Sequence, residues 1–382
     1  MQSTLRKSVG LYIHIPFCKS KCYYCDFNSY AGMESYASDY FKALKNEIFI
    51  YSDKLKGDTV KSIFIGGGTP SLVDGRYIYE IINHCRQNLD IDRHAEISIE
   101  TNPGTLSLEK LTTYAAAGIN RLSMGLQAWQ DSLLKTLGRI HRREEFVENF
   151  NIARRVGFKN INIDVIFGIP GQRLEEWDET ITQIVRLDPE HVSCYSLKIE
   201  EDTVFGEKLA SGSLVPVDDE LDREMYYLAK DCLSRNKFNH YEISNFAKPG
   251  FECRHNLIYW KDESYIGVGA GAHSFFEGKR YNNTCGVESY IRQISRGNMP
   301  VENVHRIERN EEMSEFVILG LRLIGGIAAN EFKLRFGTDI FSLYGKQLHQ
   351  LSGRGLIQWD GERIRLTNLG LDVANQVFVE FI

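Results

Sequence analysis

The chain has 382 residues, 43% hydrophobic and 25% charged, a globular composition too long for one small domain. Its net charge of −6, without a basic block, argues against nucleic acid as a partner. No apolar run approaches transmembrane length, and the N-terminal stretch MQSTLRKSVG lacks the apolar core of a signal peptide. A cytoplasmic protein without a transmembrane segment is expected; peripheral contact with a membrane surface stays compatible with the sequence.

In chain order, the first two-thirds alternates short β-rich runs with longer amphipathic stretches. Strands are predicted at 9–15, 62–65, 96–100, 121–124, 160–166 and 191–197, each rich in Val, Ile, Phe or Tyr. Helices are predicted at 35–51, 78–87, 108–117, 144–156, 174–186 and 220–235. Leu108, Leu111, Tyr114 and Ala115 follow helical spacing, and Gly118 closes that helix. Such alternation implies an α/β protein with a parallel sheet, and six units fit either a doubly wound sheet or an incomplete barrel. The pattern changes after residue 235. Residues 241–245 read as a strand, Pro249-Gly250 follows, and 254–276 is dense in aromatics, glycine and histidine. Helices are predicted again at 315–323, 330–336 and 340–351, the last with Phe341, Tyr344 and Leu348 on one face. Residues 356–359 and 363–366 form a hairpin about Asp360-Gly361. Three segments are therefore expected: 1–235, a connecting segment 236–309, and 310–382. The last resembles a winged helix without a basic recognition helix, which favours a lid or docking module over a DNA reader.

Residues 12–27 read YIHIPFCKSKCYYCDF, with Cys18, Cys22 and Cys25 in the spacing C-x3-C-x2-C. Clustered thiolates suit zinc, copper or iron–sulfur. Three cysteines on one loop can hold three irons of a [4Fe-4S] cube and leave the fourth open to a small molecule. A zinc site would need His14 or a remote cysteine, although zinc sites favour paired C-x2-4-C units. Cys85, Cys194, Cys232, Cys253 and Cys285 are scattered, as free thiols of a reducing compartment would be. Other unusual residues also sit at strand C-terminal ends. Gly66-Gly67-Gly68-Thr69-Pro70 follows the second strand, Glu100-Thr101-Asn102-Pro103 the third and Gln127 the fourth, while Asp164 lies in the fifth. Parallel α/β architectures place their sites at that face. Glycines let backbone N–H groups approach a ligand, but this run lacks a following Gly-Lys-Ser/Thr and by itself also reads as a tight turn.

The cysteine spacing, with Tyr24 before the last cysteine, resembles the radical S-adenosylmethionine (SAM) superfamily. The flanking Tyr12-Ile13-His14-Ile15-Pro16-Phe17-Cys18 resembles the branch that holds oxygen-independent coproporphyrinogen III oxidase and the HemW heme chaperones. The resemblance runs from Tyr12 through the C-terminal unit. It implies an incomplete (β/α)6 barrel followed by a winged-helix-like α+β domain. It also implies a [4Fe-4S] cluster on Cys18, Cys22 and Cys25, with SAM at the open iron. One electron from the reduced cluster would break the C5′–S bond of SAM, giving methionine and a 5′-deoxyadenosyl radical. Gly67, Gly68 and Thr69 would cradle the SAM amino group. Glu100, Gln127, Arg139 and Asp164 match further SAM-contacting positions, with acids suited to ribose hydroxyls and arginine to a carboxylate. Arg142 and Arg143 lie near Arg139 and compete for its role. Tyr12 and Tyr24 match contacts beside the cluster.

Two features separate the members of that branch. The oxidase carries a further cysteine two residues after the third, where this chain has Phe27, and a long N-terminal extension for which the position of Cys18 leaves little room. His255-Asn256-Leu257-Ile258-Tyr259-Trp260 and Gly269-Ala270-Gly271-Ala272-His273 resemble the chaperones instead. A histidine beside Tyr and Trp suits a porphyrin, so His255 is a candidate heme ligand. Cys253 is its rival, and a hydrogen-bonded packing role is the alternative. The resemblance thus implies a chaperone that binds the cluster, SAM and heme and delivers heme to acceptor hemoproteins, respiratory ones foremost. The alternative is radical decarboxylation of two propionates of coproporphyrinogen III.

Overall fold

Six parallel strands stand side by side in chain order: β1 (Ser8–Ile15), β2 (Thr59–Gly67), β3 (Ile91–Thr101), β4 (Arg121–Gln127), β5 (Ile161–Phe167) and β6 (His191–Ser196). This computed structural model describes residues 7–382. Residues 1–6, part of the stretch expected to lack a signal peptide, lie outside the described residues. The strands read as nearly continuous apolar runs because helices cover one side and side chains fill the other. The helices between them, among them Ala37–Lys54, Gly75–Asn88, Leu108–Ala117, Arg143–Val156 and Leu174–Leu187, bury one stripe each. Gly118 and Gly157 end two of them in the left-handed region, at φ 81° and 108°. β2 and β3 begin earlier than composition suggests. Their first residues are polar, and pairing with neighbouring strands rather than side-chain type makes them strands.

The stretch 236–309 adds strands at both edges of the sheet. On one side come β7 (Asn239–Glu242) and β8 (Asn245–Ala247); β8 is antiparallel to β6, and β7 is antiparallel to β8. On the other come β9 (Tyr265–Val268), parallel to β1, and the antiparallel β10 (His273–Phe276), β11 (Lys279–Asn283) and β12 (Val301–Arg306). The order is β12-β11-β10-β9-β1-β2-β3-β4-β5-β6-β8-β7, an open mixed sheet that does not close. The single strand expected at 241–245 is a tight hairpin. Buried Glu242 accepts from Ser244 N at 3.0 Å and from the Asn245 amide, which turns the chain back. The outer edge of β7 is covered by backbone bonds from Ile243 N to Arg322 O and from Ile324 N to Tyr241 O. The exposed edge of β12 is blunted by a register shift with Asn303 at φ 51°.

The C-terminal unit has its own core, including Val317, Phe332, Ile340, Leu348 and Ile364. Its first helix, Arg309–Gly320, starts earlier than the expected 315 because Glu308 and Glu311 form a reciprocal cap. Helices Ala329–Phe336 and Ile340–Gly353 precede the hairpin Ile357–Trp359 and Arg363–Leu366, which Ile327–Ala328 completes as a third strand. The unit docks through Arg335 to buried Asp262 at 2.7 Å and Arg280 to Glu315 at 2.9 Å, with Arg322 over the Trp260 ring. Among the described residues no helix is long and apolar enough to cross a membrane.

Glu47 ties the helix Ala37–Lys54 to the segment after β9. It is fully buried and accepts from Gly269 N at 2.8 Å, Tyr290 hydroxyl at 2.6 Å and Asn283 Nδ2 at 2.7 Å. Burial outweighs these donors and pushes its carboxyl up to about 7. Glu47→Ala leaves three buried donors unmet, and urea denaturation is expected to show a loss on the order of 3 kcal/mol. Because folding raises this pKa, the carboxyl's contribution is complete below its unfolded pKa and lost as pH rises through about 7. The wild-type urea midpoint is therefore expected to fall across that window.

Candidate functional site

The cysteine loop leaves the C-terminal end of β1 and is fastened at several points. Gly68 N donates to Ile15 O at 2.9 Å and Thr69 N to Phe17 O at 2.8 Å, so the glycine run pairs with the residues leading into Cys18. Tyr30 N donates to Pro16 O at 2.7 Å, closing the loop's base. His14 Nε2 donates to Asn28 O at 2.8 Å, since a carbonyl only accepts. Its Nδ1 then accepts from the Tyr12 hydroxyl at 3.0 Å. Burial pushes His14 down to about 4, which keeps this neutral tautomer at neutral pH. Asn28 Nδ2 reaches Ala270 O at 3.0 Å and Cys285 O at 3.1 Å, so the glycine-alanine segment 269–273 holds the far end. The apex is tied by Tyr23 N to Leu137 O and by Phe205 N to Tyr23 O.

Cys18, Cys22 and Cys25 line one cavity of about 450 Å³ at the C-terminal face of the sheet. Tyr24, Gly67, Gly68, Thr69, Glu100, Gln127, Arg139 and Asp164 line the same cavity, although they come from six separate stretches of chain. Among the described residues no three His, Cys, Asp or Glu side chains converge on a single ion. Sulfur donors around a roomy cavity, each with a polar neighbour, fit a polynuclear iron–sulfur group. Arg139 Nη1 donates to Cys22 Sγ at 3.4 Å, and the Cys18 and Cys25 sulfurs lie beside the hydroxyls of Thr69 and Ser29. A Cβ at Gly68 would fall 2.7 Å from Phe17 O and 3.0 Å from Cys18 Sγ. Gly67 stands at φ 116°, which a side chain would strain, and its N–H donates to Glu100 Oε2 at 3.0 Å.

The floor of the cavity carries two half-buried carboxyls. Burial, reinforced by the negative charge of Asp164, pushes Glu100 up to about 8. Asp164 is also raised by burial, against donors from Ser123 at 2.8 Å and Asn162 at 2.8 Å. Two such groups could receive a cation that also offers hydroxyl donors. Gln127 presents its side chain from a left-handed backbone position, φ 68°.

Tyr12 and His255 lie elsewhere. Tyr12 is not in the cavity lining; its hydroxyl is on His14 and its ring 6.3 Å from that of Phe64. His255 is 1% exposed in the helix Arg254–Trp260, stacked on Phe64, with Nδ1 2.8 Å from Ser62 Oγ and Nε2 2.8 Å from the Tyr259 hydroxyl. Ser62 is five residues before Gly67 on β2, towards the other end of the strand. The structure therefore does not bring His255 to the cysteines, and Cys253 is likewise buried, against Glu96. Conversely, Ser123 and Tyr195 line the cavity without a mark in the sequence, and Asn102, quoted there only as part of the run after the third strand, lines it too. Tyr195 occupies the kind of strand-end position that flagged Glu100 and Gln127, so the same signal could have found it.

Residues 12–184 match the Radical SAM superfamily, and residues 307–373 match the HemN C-terminal domain. The chain is 37% identical to the heme chaperone HemW of Bacillus subtilis (strain 168), over 97% of this chain and 98% of that protein. It is 37% identical to the heme chaperone HemW of Escherichia coli (strain K12), over 85% of each chain. Its fold is similar to the solved structure of Escherichia coli coproporphyrinogen III oxidase (HemN), a radical SAM enzyme. That likeness has a TM-score of 0.86 and 24% identity, and covers 98% of this chain and 90% of that one.

Gly68→Ala forces the glycine run away from Cys18. Iron bound after anaerobic reconstitution is expected to drop several-fold, with thermal unfolding changed by far less. For Glu100, a cationic ligand favours the ionised form, so binding releases its proton. SAM affinity, read by equilibrium dialysis, is expected to rise with pH and level off above about 8, and Glu100→Gln to flatten that rise.

Proposed function

The chain belongs to the HemW heme chaperone family within the radical SAM superfamily, and from that premise we propose that it binds heme and hands it to acceptor hemoproteins in the cytoplasm, respiratory ones foremost. The observation that carries this reading is the near full-length likeness to heme chaperones, 37% over 97% of the chain. The convergence of three cysteines with the glycine run supports it from geometry. Cys18, Cys22 and Cys25 would hold a [4Fe-4S] cluster, which together with SAM supplies one-electron chemistry when bound. Gly67, Gly68 and Thr69 would offer backbone and hydroxyl groups to the SAM amino group. Glu100, once ionised, offers charge to the cationic ligand, and Asp164, aimed by Ser123 and Asn162, accepts from ribose hydroxyls. Arg139, beside Cys22, would pair with a ligand carboxylate, and Gln127 and Tyr24 would wall the site. Tyr12 orients His14 and, through it, the loop's base.

The bonded, buried ring of His255 favours a framework role over heme ligation in this arrangement. In this reading the segment 1–235 carries cluster and SAM, 236–309 braces the cysteine loop, and 310–382 is the docking unit for acceptors. The porphyrinogen oxidase reading draws no comparable support. Phe27 stands where the oxidase has its further cysteine, and the structural likeness at 24% identity speaks for the fold alone. Full-length protein, reconstituted anaerobically, is expected to retain heme through gel filtration and to leave coproporphyrinogen III unchanged in the presence of SAM and reductant. Conversion without heme retention would overturn the proposal.

A further inference from the structure

A line of hydrogen bonds joins two of the three cysteine sulfurs, and a neutral side chain stands at its centre. Arg139 Nη1 donates to Cys22 Sγ at 3.4 Å, and its Nη2 donates to Asn102 Oδ1 at 2.6 Å. Asn102 Nδ2 donates to Thr69 Oγ1 at 2.9 Å, and Thr69 Oγ1 lies 3.6 Å from Cys18 Sγ. The directions along this line follow from chemistry. A guanidinium only donates, so the amide oxygen must face Arg139 and the amide nitrogen must face Thr69. The threonine oxygen then accepts from Asn102, which leaves its own proton for the Cys18 sulfur. The donors at both ends thus point at sulfur.

The surroundings hold Asn102 in that pose. Its backbone N–H donates to Ser71 Oγ at 3.0 Å, and its carbonyl accepts from Thr105 Oγ1 at 2.7 Å. Gly125 makes room for it: a Cβ there would come 2.9 Å from Asn102 Oδ1 and 3.4 Å from Arg139 Nη2. A side chain of this size must accept on one side and donate on the other, which an amide does and a carboxylate does not.

We infer that Asn102 is a positioning residue that aims the Arg139 and Thr69 donors at the cluster's cysteine ligands and so raises the reduction potential of the cluster. The inference rests on the cluster assignment proposed above. Donors and positive charge beside the sulfurs stabilise the more negative, reduced state. An aspartate at 102 keeps the Arg139 contact but accepts from Thr69. That turns the threonine proton away from Cys18 and adds negative charge, and both changes lower the potential.

The test is a redox titration of the anaerobically reconstituted full-length protein, without SAM, followed by electron paramagnetic resonance of the reduced cluster, with iron and sulfide counted in each sample. Asn102→Asp is expected to shift the reduced-to-oxidised ratio at a fixed applied potential by about tenfold or more, which is about 59 mV for a one-electron couple. Thr69→Val is expected to shift it in the same direction by less. A fully loaded Asn102→Asp protein with the wild-type potential and spectrum overturns the inference, because a merely structural role would move thermal unfolding and leave the potential alone. If Asn102→Asp retains no cluster, Thr69→Val decides: an unchanged potential there overturns the inference, and a lowered one upholds it. Wild-type protein that takes up no iron would instead refute the cluster assignment.

Discussion

The pairing of the glycine run with the entrance of the cysteine loop is the constraint on which the site depends. Gly68 N to Ile15 O and Thr69 N to Phe17 O extend the β1–β2 ladder past its regular end. This carries Cys18 to the rim of the sheet and leaves no space for a side chain at Gly68. A loop that brings three sulfurs to one cavity cannot be left to its own entropy. Here it is fastened at base and apex by backbone bonds and the neutral imidazole of His14, and at the far end by the Asn28 amide.

Charge is arranged around that loop in a graded way. Glu100 and Asp164 stand half-buried on the cavity floor, where desolvation opposes ionisation. Arg139 stands beside Cys22 with its guanidinium shared between sulfur and the Asn102 amide. Asn162 serves Asp164 in the same manner that Asn102 serves the cysteines. Its amide nitrogen donates to Asp164, while its oxygen accepts from His191 Nδ1 at 2.6 Å and Ser193 Oγ at 3.1 Å. Neutral amides therefore direct the charged groups without adding charge to a low-dielectric interior.

The strands beyond β6 change how the sheet is closed off. β9 lies parallel to β1 on the side away from β2, and the segment after it binds Glu47 and Asn28, so residues near 270 brace residues near 28. The helix Arg254–Trp260 packs His255 against Ser62 and Phe64 while Trp260 and Asp262 meet Arg322 and Arg335 of the C-terminal unit. One short helix thus touches both the interior of the sheet and the docked unit.

Much of this was legible in residue order. The six βα units, the cysteine spacing and the run of special residues at strand ends are local patterns, and periodicity and turn chemistry report local patterns directly. The ends of β2 and β3, the hairpin at Glu242 and the strands β9 to β12 were not legible. Their residues are polar or mixed, and hydrogen bonds to distant strands made them sheet. The surroundings of His255 are of the same kind: a histidine among aromatics looks alike as ligand or as packing in the sequence, and only the fold sets it against Ser62 and Tyr259. Sequence alone determined which chemical groups stand at the mouth of the sheet, because a strand end is a position along the chain. Tertiary structure decided which of them meet and which way their hydrogen bonds run, because those depend on contacts between residues as far apart as Cys22 and Arg139.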